Sequence, residues 1–128
     1  MNYITYKRFK NNSLSGYINL PAQTECSMYD GVIFYNFKPI CYITSENAHQ
    51  YFAINDDGNG MLRGSLIQSI QKTLSKRDKD YQIRWDKIWQ DPICQQFKRT
   101  EHEDFWLWNH DFFDADIEDL EYIYNLIK

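Results

Sequence analysis

The apolar positions in the first third of the chain alternate with polar ones, which is the pattern of strands. In residues 14–20 the apolar side chains fall on alternate positions and share one face, and Pro21 ends the run. Runs rich in β-branched and aromatic residues predict three more strands, at residues 3–9, 32–35 and 40–43. The stretches between these runs are predicted connections: residues 10–13 and 36–39. The pattern therefore predicts a small, mostly antiparallel sheet of four strands.

The spacing of apolar residues becomes helical after Ser45, a hydroxyl residue that predicts an N-cap and a short helix up to Phe52. From residue 62 to residue 90 the apolar residues recur at helical spacing, which predicts two helices or one bent helix. This region ends at Asp91, because the residue before a proline is pushed out of the helical conformation. Apolar residues at helical spacing between Ile117 and Ile127 share one face and predict a terminal helix docked on the core.

Length and composition limit the fold class. A chain of 128 residues with 43% apolar side chains can bury a core without disulfides or a structural metal. No repeat, low-complexity tract or flexible linker interrupts it. We therefore predict a single α+β domain over residues 1–128, with the sheet of the N-terminal third packed against C-terminal helices.

The sequence predicts a cytoplasmic protein. The first twenty residues, with Lys7, Arg8 and Lys10 among isolated apolar residues, do not have the pattern expected of a signal peptide. No apolar run reaches the roughly 18 residues that a membrane span requires. Its cysteines, Cys26, Cys41 and Cys94, are odd in number and far apart, which is typical of reduced thiols in a cytosol.

Charge is divided unevenly along the chain. Residues 1–99 hold 13 of the 14 basic residues and 9 of the 18 acidic ones, whereas residues 100–128 hold 1 basic and 9 acidic residues. Such charges often pair within the molecule or are simply solvated. Alternatively, regularly spaced carboxylates resemble a phosphate backbone and attract the basic channel of a protein that handles nucleic acid. A third alternative is a basic helical face that itself binds nucleic-acid phosphates, formed by Lys72, Lys76, Arg77 and Lys79.

Aromatic residues crowd residues 105–113, where a helix would carry two apolar faces. Both faces could be buried internally, or one could be an exposed anchor patch, since large aromatic side chains dominate binding hot spots. The predicted partner-binding residues combine this patch with the neighbouring carboxylates: Glu101, Glu103, Asp104, Trp106, Trp108, Asp111, Phe113, Asp114, Asp116 and Asp119.

Two patterns that could bind a metal are incomplete. Residues 55–60 match the first ligand positions of a calcium loop, but the twelfth position is Leu66, where a bidentate Glu is needed. His102 and His110 stand among carboxylates without the spacing of a His-Glu-x-x-His helix, which leaves a metal-dependent nuclease as a minor alternative. We predict no catalytic residue, no metal and no cofactor.

Three segments carry a resemblance to known proteins: TSENAHQYFAINDDGNG at 44–60, RWDKIW at 84–89 and WLWN at 106–109. With these segments the chain resembles, over most of its length, small accessory proteins carried by phages and conjugative elements of Gram-positive bacteria. The resemblance implies a role in host defence or in the mobile element itself. Anti-CRISPR proteins are a prominent group of small acidic proteins in that setting, and many of them occupy the nucleic-acid-binding surface of a nuclease. No catalytic residue is carried over.

The resemblance and the charge division together predict a non-enzymatic inhibitor of a host CRISPR-Cas nuclease. The predicted partner is a nuclease such as Cas9, or its complex with guide RNA, in the cytoplasm of the bacterial host. The alternative is an accessory protein of a mobile element that binds nucleic acid through the basic helical face.

Overall fold

The computed structural model describes residues 1–101 and 103–128 of an α+β protein. Contacts within the chain divide it into two compact units, Met1–Ser65 and Leu66–Lys128, and each unit has a buried apolar cluster of its own. The predicted α+β class, with an antiparallel sheet and C-terminal helices, is confirmed. The organisation as a single domain stays a prediction. Within the described residues, no helix combines the length and the apolar character needed to cross a bilayer.

The N-terminal unit contains seven strands in two sheets. The strands are β1 (Asn2–Thr5), β2 (Phe9–Ser13), β3 (Gly16–Leu20), β4 (Glu25–Tyr29), β5 (Val32–Tyr35), β6 (Lys38–Tyr42) and β7 (Phe52–Ile54). Five of them form an antiparallel sheet in the spatial order β6-β5-β4-β1-β7, and β2 pairs with β3 in a separate hairpin. The prediction of four strands is therefore wrong in number, although its antiparallel character is right.

The largest local correction concerns residues 10–13, which were predicted as a connection and lie in β2. Phe9 pairs with Leu20 and Ser13 with Gly16, so only two residues are left for the turn of the hairpin. Polar side chains suit β2, because this strand alternates between buried or half-buried and exposed positions at the edge of a two-stranded sheet. The run at 3–9 accordingly divides into β1 and the start of β2.

Tight two-residue turns join β4 to β5 and β5 to β6, and both turns have positive φ at both positions. The first contains Asp30 (φ 52°) and Gly31 (φ 76°), and the second contains Asn36 (φ 48°) and Phe37 (φ 64°). Left-handed backbone at both positions matches the twist of the flanking strands, and glycine is the usual second residue. Phe37 instead holds a bulky side chain there, and that side chain is 100% exposed.

Helix α1 (Glu46–Tyr51) begins where it was predicted. The hydroxyl of Ser45 accepts a hydrogen bond from the main-chain N–H of Ala48 at 3.3 Å, as an N-cap does. Helix α2 (Gly60–Leu74) starts directly against β1. A Cβ on Gly60 would lie 2.5 Å from the side chain of Ile4, and one on Gly64 would lie 2.1 Å from the ring of Tyr6, so only glycine allows this approach.

The C-terminal unit is helical. After α2 come α3 (Tyr81–Gln90), α4 (Pro92–Gln95), α5 (His110–Phe113) and α6 (Ile117–Ile127). Residues 62–90 thus form parts of two helices, one of the two predicted arrangements. The carboxylate of Asp91 accepts hydrogen bonds from the N–H groups of Ile93 and Cys94 and from the hydroxyl of Tyr122, which ties α6 to the start of α4. Leu120, Ile123 and Ile127 of α6 are buried, which confirms the predicted terminal helix.

The single aromatic helix predicted over residues 105–113 is wrong. Only His110–Phe113 is helical, and Trp108 instead makes an isolated antiparallel bridge with Lys98. The cause is Asn109, whose side chain caps α5 by accepting the N–H of Phe112 at 3.1 Å. A helix that starts at this cap cannot include the aromatic residues before it.

Phe37 provides a test of the strain in the turn between β5 and β6. We expect Phe37→Gly to stabilise the N-terminal unit by roughly 0.5–1 kcal/mol, because relief of the left-handed conformation outweighs the added entropy of the unfolded chain. The measurement is protection of the β5 and β6 amides against hydrogen exchange. Asn36→Gly is the matched control and should gain less, since asparagine tolerates this conformation. Weaker protection in Phe37→Gly than in the wild type would contradict the assignment of strain.

Candidate functional site

Of the described residues, 100–101 and 103–106 lie in a loop, called here the acidic loop, whose flanking segments are held together by main-chain hydrogen bonds. The N–H of Arg99 donates to the carbonyl of Leu107 at 2.9 Å, and the N–H of Asn109 donates to the carbonyl of Phe97 at 2.8 Å. These bonds close the base of the loop as a short antiparallel ladder. The loop therefore projects from a fixed base, and its residues Glu101, Glu103 and Asp104 are exposed.

The acidic loop borders a groove of about 330 Å³ whose other wall is helix α3. Tyr81, Trp85 and Trp89 stand four residues apart and share one side of α3. The residues that line the groove, called here the aromatic groove, are Tyr81, Gln82, Trp85, Trp89, Asp104, Phe105 and Trp106. Five of these seven side chains are aromatic and one is a carboxylate. Such a surface offers ring faces and a single negative charge to a ligand.

A chain of ring contacts holds Trp106 in place at the groove. Its indole lies edge-on to Trp89, with ring centroids 5.3 Å apart, and edge-on to Trp108 at 5.2 Å. Trp108 in turn stacks on the fully buried Phe112 at 3.9 Å, with the rings 18° from parallel. The indole N–H of Trp106 is buried and has no acceptor among the described residues. Trp106 is thus half-buried by its own cluster while one side lines the groove.

Two rings of the aromatic groove make cation–π contacts with basic side chains of the same chain. The guanidinium of Arg77 lies 4.5 Å from the ring centroid of Tyr81, and the ammonium of Lys98 lies 5.2 Å from that of Trp89. The ring between them, Trp85, donates its N–H to the carbonyl of Leu74 at 3.2 Å. Within the part of the chain that the structure describes, no cation lies over Trp85.

The other predicted carboxylates lie on or beside α5 and α6. Asp111 is exposed on α5, and Asp114 lies 3.2 Å from the imidazole of His110. Asp116 is the N-cap residue of α6, and Asp119 lies in its first turn. Negative charge at a helix N-terminus is favourable because it faces the positive end of the helix dipole. These two residues therefore have a structural role whether or not they contact a partner.

The two remaining predicted anchors pack inside the C-terminal unit. Trp108 and Phe113 are both half-buried against its apolar cluster, and Phe113 contacts Phe112 edge-on at 5.2 Å. Of the three predicted anchors only Trp106 lines the aromatic groove. Sequence reasoning assigned Tyr81, Trp85 and Trp89 to a packed helical stripe and missed that they also line a groove. Their four-residue spacing placed them together, but nothing in the sequence placed the acidic loop opposite them.

The predicted basic residues lie at the end of α2 and in the segment that follows it. Lys72, Lys76, Arg77 and Lys79 are all exposed. Lys72 lines a polar depression of about 520 Å³ with Gln68, Ser69, Gln71 and Ser75. Asp78 lies between Arg77 and Lys79 in sequence, and Asp80 follows Lys79 directly. Asp78 is paired with the buried Arg84 at 3.0 Å.

The polar side chains of the calcium-like loop at 55–60 contact other groups of the N-terminal unit. The carboxylate of Asp57 lies 2.6 Å from the guanidinium of Arg63, whose side chain is only 3% exposed, and Arg63 also donates to the carbonyl of Ile54 at 2.6 Å. The side chain of Asn55 accepts the N–H of Gly60 at 2.8 Å. The polar groups that suggested a cation site therefore stabilise a turn and the start of α2.

No metal-binding cluster is found among the described parts of residues 1–101 and 103–128. No three or more His, Cys, Asp or Glu side chains among them converge on a possible metal site. His102, one of the two histidines in the nuclease alternative, lies outside the described residues. All three cysteines are free and buried, and burial raises the pKa of Cys94 to about 12, so its thiol is protonated at neutral pH.

No family model, curated protein or solved structure matches this chain. The family and the partner implied by the resemblance therefore stay predictions. A proposal about function therefore relies on the side chains of the aromatic groove and the carboxylates near it.

The pair of Asp57 and Arg63 predicts acid sensitivity of the N-terminal unit. Hydrogen bonding from Arg63 is the main reason that the pKa of Asp57 falls from 3.8 to about 2. Because the pKa is lower in the folded state, the pair stabilises fully above pH 3.8, and this stabilisation is lost as the pH falls towards 2. We expect Asp57→Asn to destabilise the protein at neutral pH and to remove this part of the acid dependence.

The measurement is denaturation followed by circular dichroism at several pH values. Asp56→Asn is the control, because an amide oxygen can still accept the hydrogen bond that Asp56 receives from the N–H of Asn2. An unchanged pH dependence in Asp57→Asn would contradict the role assigned to the pair.

Proposed function

We propose that the protein is a non-enzymatic binding protein of a phage or mobile element that inhibits a host CRISPR-Cas nuclease of the Cas9 type by direct contact. The aromatic groove beside exposed carboxylates is the observation that carries this proposal. Large rings that are fixed by their own packing make contacts at little cost in side-chain entropy, which is why they dominate binding hot spots. The Cas9 type of target rests on the resemblance to Gram-positive mobile-element proteins.

The charge of the C-terminal unit supports a basic partner. This unit holds nine basic and thirteen acidic residues and therefore carries the whole net charge of −4, whereas the N-terminal unit has five of each. A nuclease that binds nucleic acid does so through positively charged channels. A negative surface with aromatic anchors can occupy such a channel and exclude the nucleic acid.

The two kinds of residue have different parts in this mechanism. Exposed carboxylates, such as Asp104 and Asp111, attract the basic surface over a distance and raise the association rate. The rings of the aromatic groove hold the complex once it forms and set the dissociation rate. Inhibition then requires only binding, so no catalytic group is needed.

Removal of three carboxylates tests the electrostatic part of the proposal. We expect Asp104→Asn, Asp111→Asn and Asp116→Asn together to slow association with a Cas9–guide RNA complex roughly three- to tenfold at low salt. The difference should shrink as salt rises, because exposed charges are screened. Association and dissociation rates are measured by surface plasmon resonance over a range of salt concentrations.

The matched control removes three carboxylates of the N-terminal unit, with Glu25→Gln, Asp30→Asn and Asp56→Asn. All three are exposed, and Asn tolerates the left-handed backbone of residue 30. Both triple variants change the net charge equally, so a local acidic surface predicts slower association only for the first. Equal slowing of the two variants, or no binding of the wild type to the complex, would contradict the proposal.

A second candidate function is nucleic-acid binding, favoured by the exposure of all four basic residues at the end of α2. We expect this function to be weak, because the carboxylates of Asp78 and Asp80 flank Lys79 and Arg77 lies over Tyr81. A gel-shift assay at physiological salt with short DNA and RNA measures it. A shift that is lost in Lys72→Gln, Lys76→Gln and Lys79→Gln would favour this candidate over the inhibitor.

A further inference from the structure

We propose that the aromatic groove binds the guanidinium group of an arginine side chain presented by the partner protein. This inference rests on the proposed binding function and specifies the chemistry that the groove recognises. It depends on the arrangement of cations and rings along α3 and on the single carboxylate of the groove.

The row of rings on α3 carries a cation at each end and none in the middle. Arg77 lies over Tyr81 and Lys98 lies over Trp89, whereas Trp85 between them has no such neighbour among the described residues. The two occupied rings show that cations can approach ring centroids on this side of α3 to within about 5 Å. Trp85 has the strongest type of ring for that interaction. The position in the middle of the row is therefore the one left for a cation from outside.

Asp104 adds charge complementarity at the same place. It lines the groove opposite α3, together with Phe105 and Trp106. A cation that enters the groove thus meets ring faces on one wall and a carboxylate on the other. The unit carries a net charge of −4 as a whole, which favours the approach of a positive ligand. Within the groove, the attraction of Asp104 has to outweigh repulsion from Arg77 and Lys98.

The shape of the site favours arginine over lysine. A planar guanidinium can stack on a ring and at the same time donate two parallel hydrogen bonds to a carboxylate, whereas an ammonium is a compact and strongly hydrated point charge. Within the chain itself Arg77 lies closer to its ring, at 4.5 Å, than Lys98 does, at 5.2 Å. Arginine-rich surfaces are also those that bind nucleic-acid phosphates, which agrees with the proposed class of partner.

The test uses three small probes and the 128-residue chain. N-acetyl-arginine methylamide, its lysine analogue and its citrulline analogue are titrated while NMR follows the indole N–H signals of the four tryptophans. We expect the signals of Trp85 and Trp106 to shift saturably with the arginine probe, with a Kd of the order of millimolar. Trp108 does not line the groove but contacts Trp106 edge-on, so its signal should shift less than that of Trp106. Lysine should bind about threefold more weakly, and citrulline at least tenfold more weakly.

Asp104→Asn is the matched variant, and Asp111→Asn is its control. Both residues are exposed carboxylates of the C-terminal unit, but only Asp104 lines the groove. We expect Asp104→Asn to weaken binding of the arginine probe about fivefold and Asp111→Asn to leave it unchanged. Neither change removes a buried group, and an unchanged amide spectrum verifies that both variants fold.

Several results would overturn the inference. These are equal binding of citrulline and arginine, lysine binding as tightly as arginine, equal weakening by the two variants, or no shift of Trp85 and Trp106 up to about 20 mM probe. Binding to a Cas9–guide RNA complex is measured with the same samples. If the complex is bound and the arginine probe is not, the inference fails and the proposed function stands. If only the probe is bound, the arginine site stands and the Cas9-directed function fails.

Discussion

The C-terminal unit depends on a continuous chain of aromatic contacts that starts in its core and ends at its surface. Phe112 is fully buried, Trp108 stacks on it, and Trp106 and Trp89 continue the chain edge to edge. These contacts couple α3, α5 and the end of the acidic loop. A loop rich in charged residues has little apolar surface of its own to bury, so its position comes from the main-chain pairing at its base and from the rings at its end. The aromatic groove exists because this chain brings Trp106 against α3.

The same arrangement separates two kinds of carboxylate. Those at the start of α6, such as Asp116 and Asp119, face the positive end of a helix dipole and contribute to the helix itself. Those of the acidic loop, such as Glu103 and Asp104, belong to no helix and are exposed. No helix dipole accounts for the acidic character of this second group. The acidic C-terminal third of the sequence therefore combines local helix stabilisation with solvent-exposed carboxylates.

The N-terminal unit follows a different physical principle, in which polar groups are tied to the backbone at the ends of strands. Arg63 is buried and satisfies both the carboxylate of Asp57 and the carbonyl of Ile54 at the end of β7. Such a pair leaves no uncompensated charge, and it makes the turn at 55–60 part of the scaffold. Phe37 is the exception in this unit, since it keeps an exposed ring on a left-handed backbone without a compensating contact among the described residues.

Local signals in the sequence determined the helices and several strands. Ser45 predicted the start of α1 because its side chain caps that helix, and Asp91 before Pro92 predicted the end of α3. The helical spacing of apolar residues up to Ile127 predicted α6. Strand β4 was missed although Asp30-Gly31, a strong hairpin dipeptide, precedes β5. Strand β7 is only three residues long, and it forms because β1, some 50 residues earlier, pairs with it.

The sequence by itself determined the α+β class, the charge division and the aromatic stripe on α3, because caps, periodicity and composition act over a few neighbouring residues. Only the tertiary structure decided that residues 105–109 are not helical and that the acidic loop lies opposite Trp85. That arrangement depends on main-chain pairing of residues 97–99 with residues 107–109 and on ring stacking across separate elements. Contacts between residues distant in sequence leave no periodic pattern along the chain, and so the groove could not be predicted from it.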